Sequence, residues 1–244
     1  MNTAPILDVR NVSRSFGKFR ALSNISVSFR AGELTAIIGP NGAGKSTFFN
    51  VISGGVPASE GQVLFEGRDI TAMAPHDFAR VGIAKSFQIT NVFKQLSAHE
   101  NVLVALQMRV SRFQILRARQ AYGELVARAD ALLARVGLTA NRDKLAGDLA
   151  HGQQRSLEVA MALACDPKLL LMDEPTAGMS PEETTVMMNL IRQLAAERTV
   201  ILVEHKMKLV MGLCQRLIVL HHGELLVDGK PDEIRANSEV KRVY

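Results

Sequence analysis

The stretch LTAIIGPNGAGKST, Leu34 to Thr47, predicts a buried β-strand, a glycine-rich loop and the start of a helix. Its second part, GPNGAGKST, fits the pattern G-x-x-x-x-G-K-[S/T]. Glycines at these places let successive backbone N–H groups curl around phosphate oxygens. Lys45 would then reach the β- and γ-phosphates of a nucleotide, and the Ser46 hydroxyl would bind Mg²⁺. We therefore expect a phosphate loop made of Gly39, Pro40, Asn41, Gly42, Ala43, Gly44, Lys45, Ser46 and Thr47.

The segments on both sides of this loop alternate between strand and helix patterns. Upstream, ILDVRNV and ISVSF alternate apolar and polar residues, as half-buried strands do. The middle is predicted to be helical, with a capping-box pattern at Ser97-x-x-Glu100 and a helix that ends at Gly137. From Leu149 onward the pattern predicts a helix (153–164), the strand LLLM, a helix (Pro181 to about Glu197), the strand TVILV, a short helix and the strand LIVL. Such alternation predicts an α/β fold with a mostly parallel sheet.

Two acids directly follow the predicted buried strand LLLM, namely Asp173 and Glu174. Burying two carboxylates there is costly unless they meet a cation or take part in chemistry. We expect Asp173 to hold Mg²⁺ through water and Glu174 to orient or deprotonate the attacking water. The Asn-Lys-x-Asp pattern of a guanine reader is absent, since the nearest approach is Asn141-Arg142-Asp143. ATP is therefore the favoured nucleotide.

A second candidate anion site is LAHGQQRSLEVA, Leu149 to Ala160, where a polar turn runs into an amphipathic helix. The first N–H groups of a helix lack intrahelical partners and can bind an anion. The plainer interpretation is an ordinary helix start.

The charge balance, 29 basic against 24 acidic residues, gives +5 and is compatible with an anionic ligand, a membrane surface or nucleic acid. No basic run exceeds two residues, which argues against a nucleic-acid tail. The stretch QMRVSRFQILRARQ, with four arginines, is either a solvated helix face or a surface towards lipid head groups. Cys165 and Cys214 are expected to be buried free thiols. Neither a signal peptide nor an apolar run of the ~20 residues that a span requires is predicted.

The motifs GPNGAGKST, Gln88 after a strand, LAHGQQR, LLLMDEP and VEH resemble, in sequence and order, an ATP-binding-cassette (ABC) ATPase subunit. Longer stretches, GIAKSFQITNVFKQLSAHENVLVA and EHKMKLVMGLCQRLIVLHHG, are similar to the ATPase subunits of bacterial high-affinity branched-chain amino acid importers. The ending VKRVY is also similar to the lipopolysaccharide-transport ATPase. The resemblance implies one domain, 1–244, with a P-loop NTPase (RecA-like) core, a mostly parallel sheet and an N-terminal antiparallel β subdomain. The core and β subdomain would span about 1–88 and 156–244, and a helical subdomain about 89–155.

The resemblance also implies roles for single residues. Leu149, Ala150, His151, Gly152 and Gln153 would form a signature loop that caps the γ-phosphate of ATP bound to the opposite subunit. Two anion loops would then serve two different nucleotides. The resemblance further implies catalytic roles for Lys45, Glu174 and His205. Phe16 would stack on adenine, with Phe19 as the alternative, and Gln88 would contact ATP. Mg²⁺ would be bound by Ser46, Gln88 and Asp173.

Three positions depart from the family pattern. Ala150 replaces the usual signature serine and has no hydroxyl for the γ-phosphate. Ser180 stands where an aspartate is usual, and Lys206 stands where an acid is common in this branch. These departures put full catalytic strength at both ATP sites in question and leave ATP binding unaffected.

By this resemblance the chain is a motor subunit of an ABC importer for branched-chain or related amino acids, with ATP and Mg²⁺ as cofactors. Its expected partners are transmembrane permease subunits, a second ABC ATPase subunit and, indirectly, a periplasmic solute-binding protein, without nucleic acid. A groove near Gln88 to Phe93 would dock a short permease helix. The expected location is the cytoplasmic face of the bacterial inner membrane, as a peripheral subunit. The alternatives are a lipopolysaccharide-transport-type ATPase and a soluble non-transport regulatory ATPase.

Overall fold

The computed structural model describes residues 4–86, 92–107 and 118–244. Its strands are β1 (Leu7–Phe16), β2 (Phe19–Phe29), β3 (Leu34–Ile38), β4 (Glu60–Phe65), β5 (Arg68–Asp69), β6 (Ile83–Ser86), β7 (Leu169–Asp173), β8 (Thr199–Val203), β9 (Arg216–His221) and β10 (Glu224–Gly229). Its α-helices are α1 (Lys45–Ile52), α2 (Phe78–Val81), α3 (Ala98–Gln107), α4 (Ala118–Arg135), α5 (His151–Ala164), α6 (Pro181–Ala195), α7 (Met207–Met211), α8 (Pro231–Ala236) and α9 (Ser238–Val243).

The central sheet has the strand order β10–β9–β3–β8–β7–β6. Every neighbouring pair from β9 to β6 is parallel, and the hairpin strand β10 is antiparallel to β9. A second sheet, in the order β2–β1–β4–β5, is antiparallel throughout. The predicted α/β fold with a mostly parallel sheet and an N-terminal antiparallel sheet is therefore confirmed, whereas the subdomain boundaries stay a prediction.

The strand β3 lies in the middle of the central sheet and is buried along its whole length. Because side chains alternate across a strand, Ala36 and Ile38 contribute to one apolar cluster and Ile37 contributes to the other. The first cluster also holds the apolar sides of α3 to α6, and the second holds Phe48 and Phe49 of α1. With helices covering both faces, the continuous apolar run of β3 is explained.

The start of α6 is fixed by local capping chemistry. The helix α6 begins after Ser180, whose hydroxyl accepts the Glu183 N–H (3.2 Å) while the Glu183 carboxylate accepts the Ser180 N–H (3.0 Å). The helix α5 begins at His151, two residues before the predicted start at 153. Among the described residues, no helix is both long and apolar enough to cross a bilayer.

Candidate active site

The phosphate loop connects β3 to α1 and depends on its glycines for close approaches. At Gly39 (φ 153°), an added Cβ would lie 2.2 Å from the Leu220 carbonyl oxygen. At Gly44 (φ 95°), it would lie 2.9 Å from the Ala21 oxygen. Both glycines are therefore required by the backbone around them as well as by the left-handed conformation of the loop.

Lys45 points its ammonium group into this loop. Its Nζ donates hydrogen bonds to the carbonyl oxygens of Gly39 (2.7 Å) and Pro40 (2.9 Å), and the residue is only 8% exposed. Burial lowers the pKa of Lys45, while the nearby Glu174 and Asp173 carboxylates act in the opposite direction. The loop therefore gathers one cation and two acids at the carboxyl edge of the sheet.

Asp173 ends β7 as a buried carboxyl group, 5% exposed. Its Oδ1 is buried and has no hydrogen-bond partner in the described part of the chain. Burial raises the pKa of Asp173, with Lys85 lowering it and Glu174 raising it. An orphaned carboxylate oxygen beside a phosphate loop fits a hydrated cation, because burial without a partner is otherwise costly.

The donor set fits Mg²⁺ in particular. Within residues 4–86, 92–107 and 118–244, no cluster of three or more His, Cys, Asp or Glu side chains forms a metal cage. Mg²⁺ does not need such a cage, since it keeps several waters and binds one or two carboxylates together with nucleotide phosphates. Ser46 is exposed at the start of α1, where its hydroxyl is accessible.

Glu174 and His205 face each other across the ends of β7 and β8. Glu174 has φ 46°, and its N–H donates to the Val203 oxygen (3.0 Å). Its Oε1 lies 3.7 Å from Nδ1 of the exposed His205, which is beyond hydrogen-bond length. A left-handed conformation at a non-glycine residue costs about 1–3 kcal/mol and is found mainly at functional sites. The strain at Glu174 is consistent with the role predicted for it.

Two charged residues near this site were missed by the sequence analysis. Glu204 is 1% exposed, and its carboxylate accepts the Thr176 hydroxyl (2.7 Å) and the His205 N–H (3.3 Å). Lys85 of β6 donates to Asn50 Oδ1 (2.7 Å) and contributes positive charge towards Asp173. Glu204 could have been found from the sequence, because an acid directly follows the apolar strand TVILV. No comparable sequence pattern marks Lys85.

The candidate adenine stack lies at the tip of the β1–β2 hairpin. Phe16 and Phe19 are opposite each other in the hairpin register and are exposed to 46% and 68%. The Arg14 guanidinium lies over the Phe16 ring, 4.5 Å from its centroid. This cation–π contact fixes the orientation of Phe16, and the choice of Phe16 over Phe19 stays a prediction.

The predicted signature loop, Leu149 to Gln153, comprises the two residues before α5 and the first turn of that helix. The Ala150 N–H donates to the Gln153 side chain (3.1 Å), His151 Nε2 donates to the Ala177 oxygen (3.1 Å), and the Gly152 N–H donates to Glu183 Oε1 (3.0 Å). The Gly152 N–H is therefore bound to Glu183 in this conformation, and the phosphate-capping role of the loop stays a prediction. Gln88, Asn91 and most of the arginine-rich stretch lie outside the described residues.

The sequence pattern of the ABC transporter family matches residues 22–177. The chain is 37% identical to the high-affinity branched-chain amino acid transport ATP-binding protein LivG of Salmonella typhimurium, over 98% of this chain and 97% of the relative. It is 36% identical to BraF of Pseudomonas aeruginosa, with the same coverage.

The chain is also similar to solved structures of ATP-binding cassettes. A nucleotide-free ATP-binding cassette from an ABC transporter superposes with a TM-score of 0.87 at 32% identity, covering 98% of both chains. An ADP conformation of such a cassette superposes with a TM-score of 0.88 at 33% identity, covering 99% of both chains.

Proposed function

The chain belongs to the ABC transporter family and is one of its ATP-hydrolysing subunits, and from this premise we propose that it energises the import of branched-chain or related amino acids. The observation that carries the proposal is the 37% identity to LivG over nearly the full length of both chains. The site supports it with a phosphate loop, two acids and a histidine gathered at one edge of the sheet.

The phosphate loop binds the ATP phosphates through its N–H groups and the Lys45 ammonium. Phe16 stacks on adenine, and the Arg14 guanidinium of β1 lies over the Phe16 ring. Ser46, Asp173 (through water) and Gln88 would hold Mg²⁺, and the metal would supply positive charge to neutralise the nucleotide phosphates. The orphaned Asp173 Oδ1 is the observation that supports this arrangement.

Glu174 orients and deprotonates the attacking water, and His205 contacts the γ-phosphate. Both side chains come from strand ends, so their separation is fixed by the parallel pairing of β7 with β8. Glu204 holds the His205 backbone from the buried side. The proton acceptor, Glu174, and the phosphate contact, His205, are thus only 3.7 Å apart. The γ-phosphate and the attacking water would bind beside these two side chains.

The signature loop acts on a second nucleotide, bound to the phosphate loop of an opposite ATPase subunit. Within this chain two of its hydrogen bonds run to Ala177 and Glu183, on the segment that follows Glu174. ATP closes the pair of subunits and hydrolysis opens them. The attached permease subunits convert this motion into alternating access.

A permease segment docks in the cavity between the central sheet and the helices α3 and α5. This cavity has a volume of about 360 Å³ and a mostly apolar lining that includes Phe78, Met161 and Ala162, together with the charged residues Lys85 and Glu158. Lys94, exposed in the turn before α3, is a site for a cross-linking cysteine. Because Cys165 also lines the cavity, the cross-link is made in a Cys165→Ser background.

The proposed setting is peripheral, at the cytoplasmic face of the bacterial inner membrane, with a periplasmic solute-binding protein delivering the amino acid to the permeases. Cross-links from Lys94→Cys to a membrane subunit support a permease contact close to the predicted groove, Gln88 to Phe93, which directly precedes Lys94 in the chain. Cross-links that reach soluble proteins alone favour a regulatory ATPase instead.

The decisive experiment measures ATP hydrolysis by the assembled transporter in vesicles. A binding protein loaded with leucine, isoleucine or valine should stimulate hydrolysis, whereas the same protein offered aspartate or lysine should not. The Glu174→Gln variant supplies the background rate. Equal rates with and without a loaded binding protein contradict an import role.

A further inference from the structure

One carboxylate joins the first turns of two helices that lie far apart in the sequence. Glu183, in the first turn of α6, accepts the Ser180 N–H through Oε2 (3.0 Å) and the Gly152 N–H of α5 through Oε1 (3.0 Å). The two oxygens are thus divided between a local cap and a contact across 31 residues of sequence.

This contact replaces a cap that α5 lacks. The second or third N–H of a helix is commonly bound by the side-chain oxygen of the N-cap residue. The N-cap of α5 is Ala150, which has no such oxygen. Gly152 is buried, so its N–H requires a partner, and Glu183 supplies one from the neighbouring helix.

The position of the Glu183 carboxylate depends on the absence of a side chain at Gly152. A Cβ added there would lie 2.6 Å from Glu183 Oε1 and 2.8 Å from its carboxyl carbon. His151 makes a second contact to the same region, through Nε2 to the Ala177 oxygen. The first turn of α5 is therefore fixed to residues 177–183 at two points.

We propose that Glu183 is the positioning residue of the signature loop, taking the place of the side-chain cap that Ala150 cannot provide. This inference rests on the proposed function, in which that loop completes the ATP site of an opposite subunit. The effect of Glu183 is then exerted on hydrolysis in trans, although the residue follows the catalytic Glu174 of its own subunit by nine positions.

The first test follows the Gly152 amide by hydrogen exchange in the full chain without nucleotide. Glu183→Gln keeps the size of the side chain but replaces one acceptor oxygen by a donor group, so the two N–H groups can no longer both be bound. Gly152 exchange should accelerate about tenfold or more, since the bond to a charged acceptor is lost. Glu182→Gln removes the same charge from the same turn without this contact and should leave Gly152 unchanged. Unaltered Gly152 exchange in both Glu183→Gln and Glu183→Ala overturns the proposal.

The second test locates the effect in the assembled transporter. One ATPase subunit carries Glu174→Gln and the other is unaltered, so the remaining hydrolysis comes from the site that the variant subunit completes with its signature loop. Adding Glu183→Gln to the Glu174→Gln subunit should lower kcat about tenfold with little change in KM for ATP. Adding Glu182→Gln there should not change kcat.

The outcomes separate the inference from the function on which it rests. A kcat that is equal with Glu183→Gln and with Glu182→Gln contradicts trans positioning by Glu183. A Glu174→Gln subunit that does not lower hydrolysis at all contradicts the proposed catalytic role, while the exchange of Gly152 still reports on the cap. Restoration of Gly152 protection in the Ala150→Ser/Glu183→Gln double variant is expected, because the serine hydroxyl provides a local acceptor.

Discussion

Glu174 combines a strained backbone with an acidic side chain that is partly open to solvent. We expect Glu174→Gln to reduce ATP hydrolysis by about 10²- to 10⁴-fold, the contribution typical of a general base, with ATP binding retained. Steady-state hydrolysis and nucleotide binding measured on the same preparation provide the check. The exposed Glu182, eight positions further along the chain, is changed to Gln as the control for loss of charge. A Glu174→Gln protein that hydrolyses ATP at close to the parental rate rules out the general-base role.

Ala150 is the residue at which the family pattern and this chain differ most directly. The two groups best placed to compensate for its missing hydroxyl are already engaged, His151 with Ala177 and the Gly152 N–H with Glu183. Ala150→Ser should therefore raise the hydrolysis rate of the assembled transporter about tenfold or more, because a hydrogen bond to a charged group contributes about 1.5–3 kcal/mol and each ~1.4 kcal/mol is tenfold in rate. ATP affinity should change little.

The same substitution has a separate structural effect that must be distinguished. A serine N-cap stabilises a helix by about 0.5–2 kcal/mol relative to alanine. Thermal unfolding of the isolated chain measures this effect without nucleotide. A higher Tm with an unchanged rate means that the serine only caps α5 and that the phosphate contact is not limiting.

At the scale of elements, the end of β8 is joined to the segment after β7 by a buried carboxylate. Thr176 is fully buried, and its hydroxyl donates to Glu204 Oε1. Thr176→Val removes that donor and leaves the charged oxygen without its partner, which should lower the free energy of unfolding by about 1–3 kcal/mol. Denaturant unfolding provides the measurement.

A matched control lies on α6. Thr185 also donates through its hydroxyl, to the Pro181 oxygen, but it is exposed. Thr185→Val should change the free energy of unfolding by no more than about 0.5 kcal/mol. Equal effects of the two threonine substitutions mean that the bond to Glu204 adds nothing beyond an ordinary surface hydroxyl.

The reactivity of the two cysteines distinguishes global unfolding, which exposes the buried Cys214, from the folded state, in which Cys165 is partly exposed. Burial raises the pKa of the Cys214 thiol from 9.0 to about 12, with the Glu204 charge adding to the effect. Thiolates are the reactive form, so alkylation of Cys214 at pH 8 should require unfolding of the core. Cys165, which is partly exposed, should react in the folded protein. Comparable alkylation rates for the two thiols under native conditions contradict this assignment.

The raised pKa also gives a signed prediction for stability against pH. Because folding favours the protonated thiol, the contribution of Cys214 is fully present below pH 9 and is lost as the pH rises through about 12. The decline in unfolding free energy across this window should be smaller in Cys214→Ala than in Cys165→Ala.

Local patterns in the sequence were enough to predict the phosphate loop, the acids after β7 and the parallel sheet. Each of these depends on neighbours within one strand–loop–helix unit, where residue spacing carries the information. The contacts of Glu183 with Gly152 and of Glu204 with Thr176 join residues about 30 positions apart and arise from helix and strand packing. For the same reason the start of α5 was placed two residues late, since its cap comes from another helix and not from the preceding residue.

The position of β3 in the sheet implies a delay between the synthesis of this strand and the synthesis of its pairing partners. This strand pairs with β8 and β9, beginning with Leu34 opposite Val200. At a synthesis rate of roughly 5–20 residues per second, the ribosome needs about 10–30 s to deliver those partners. During that interval all four strands of the antiparallel sheet (β1, β2, β4 and β5) become available. The apolar segment LTAII, in contrast, still lacks both of the strands with which it pairs. The nascent chain therefore passes through a stage in which this apolar strand lacks its native partners, and exposed apolar segments of this kind are prone to aggregation.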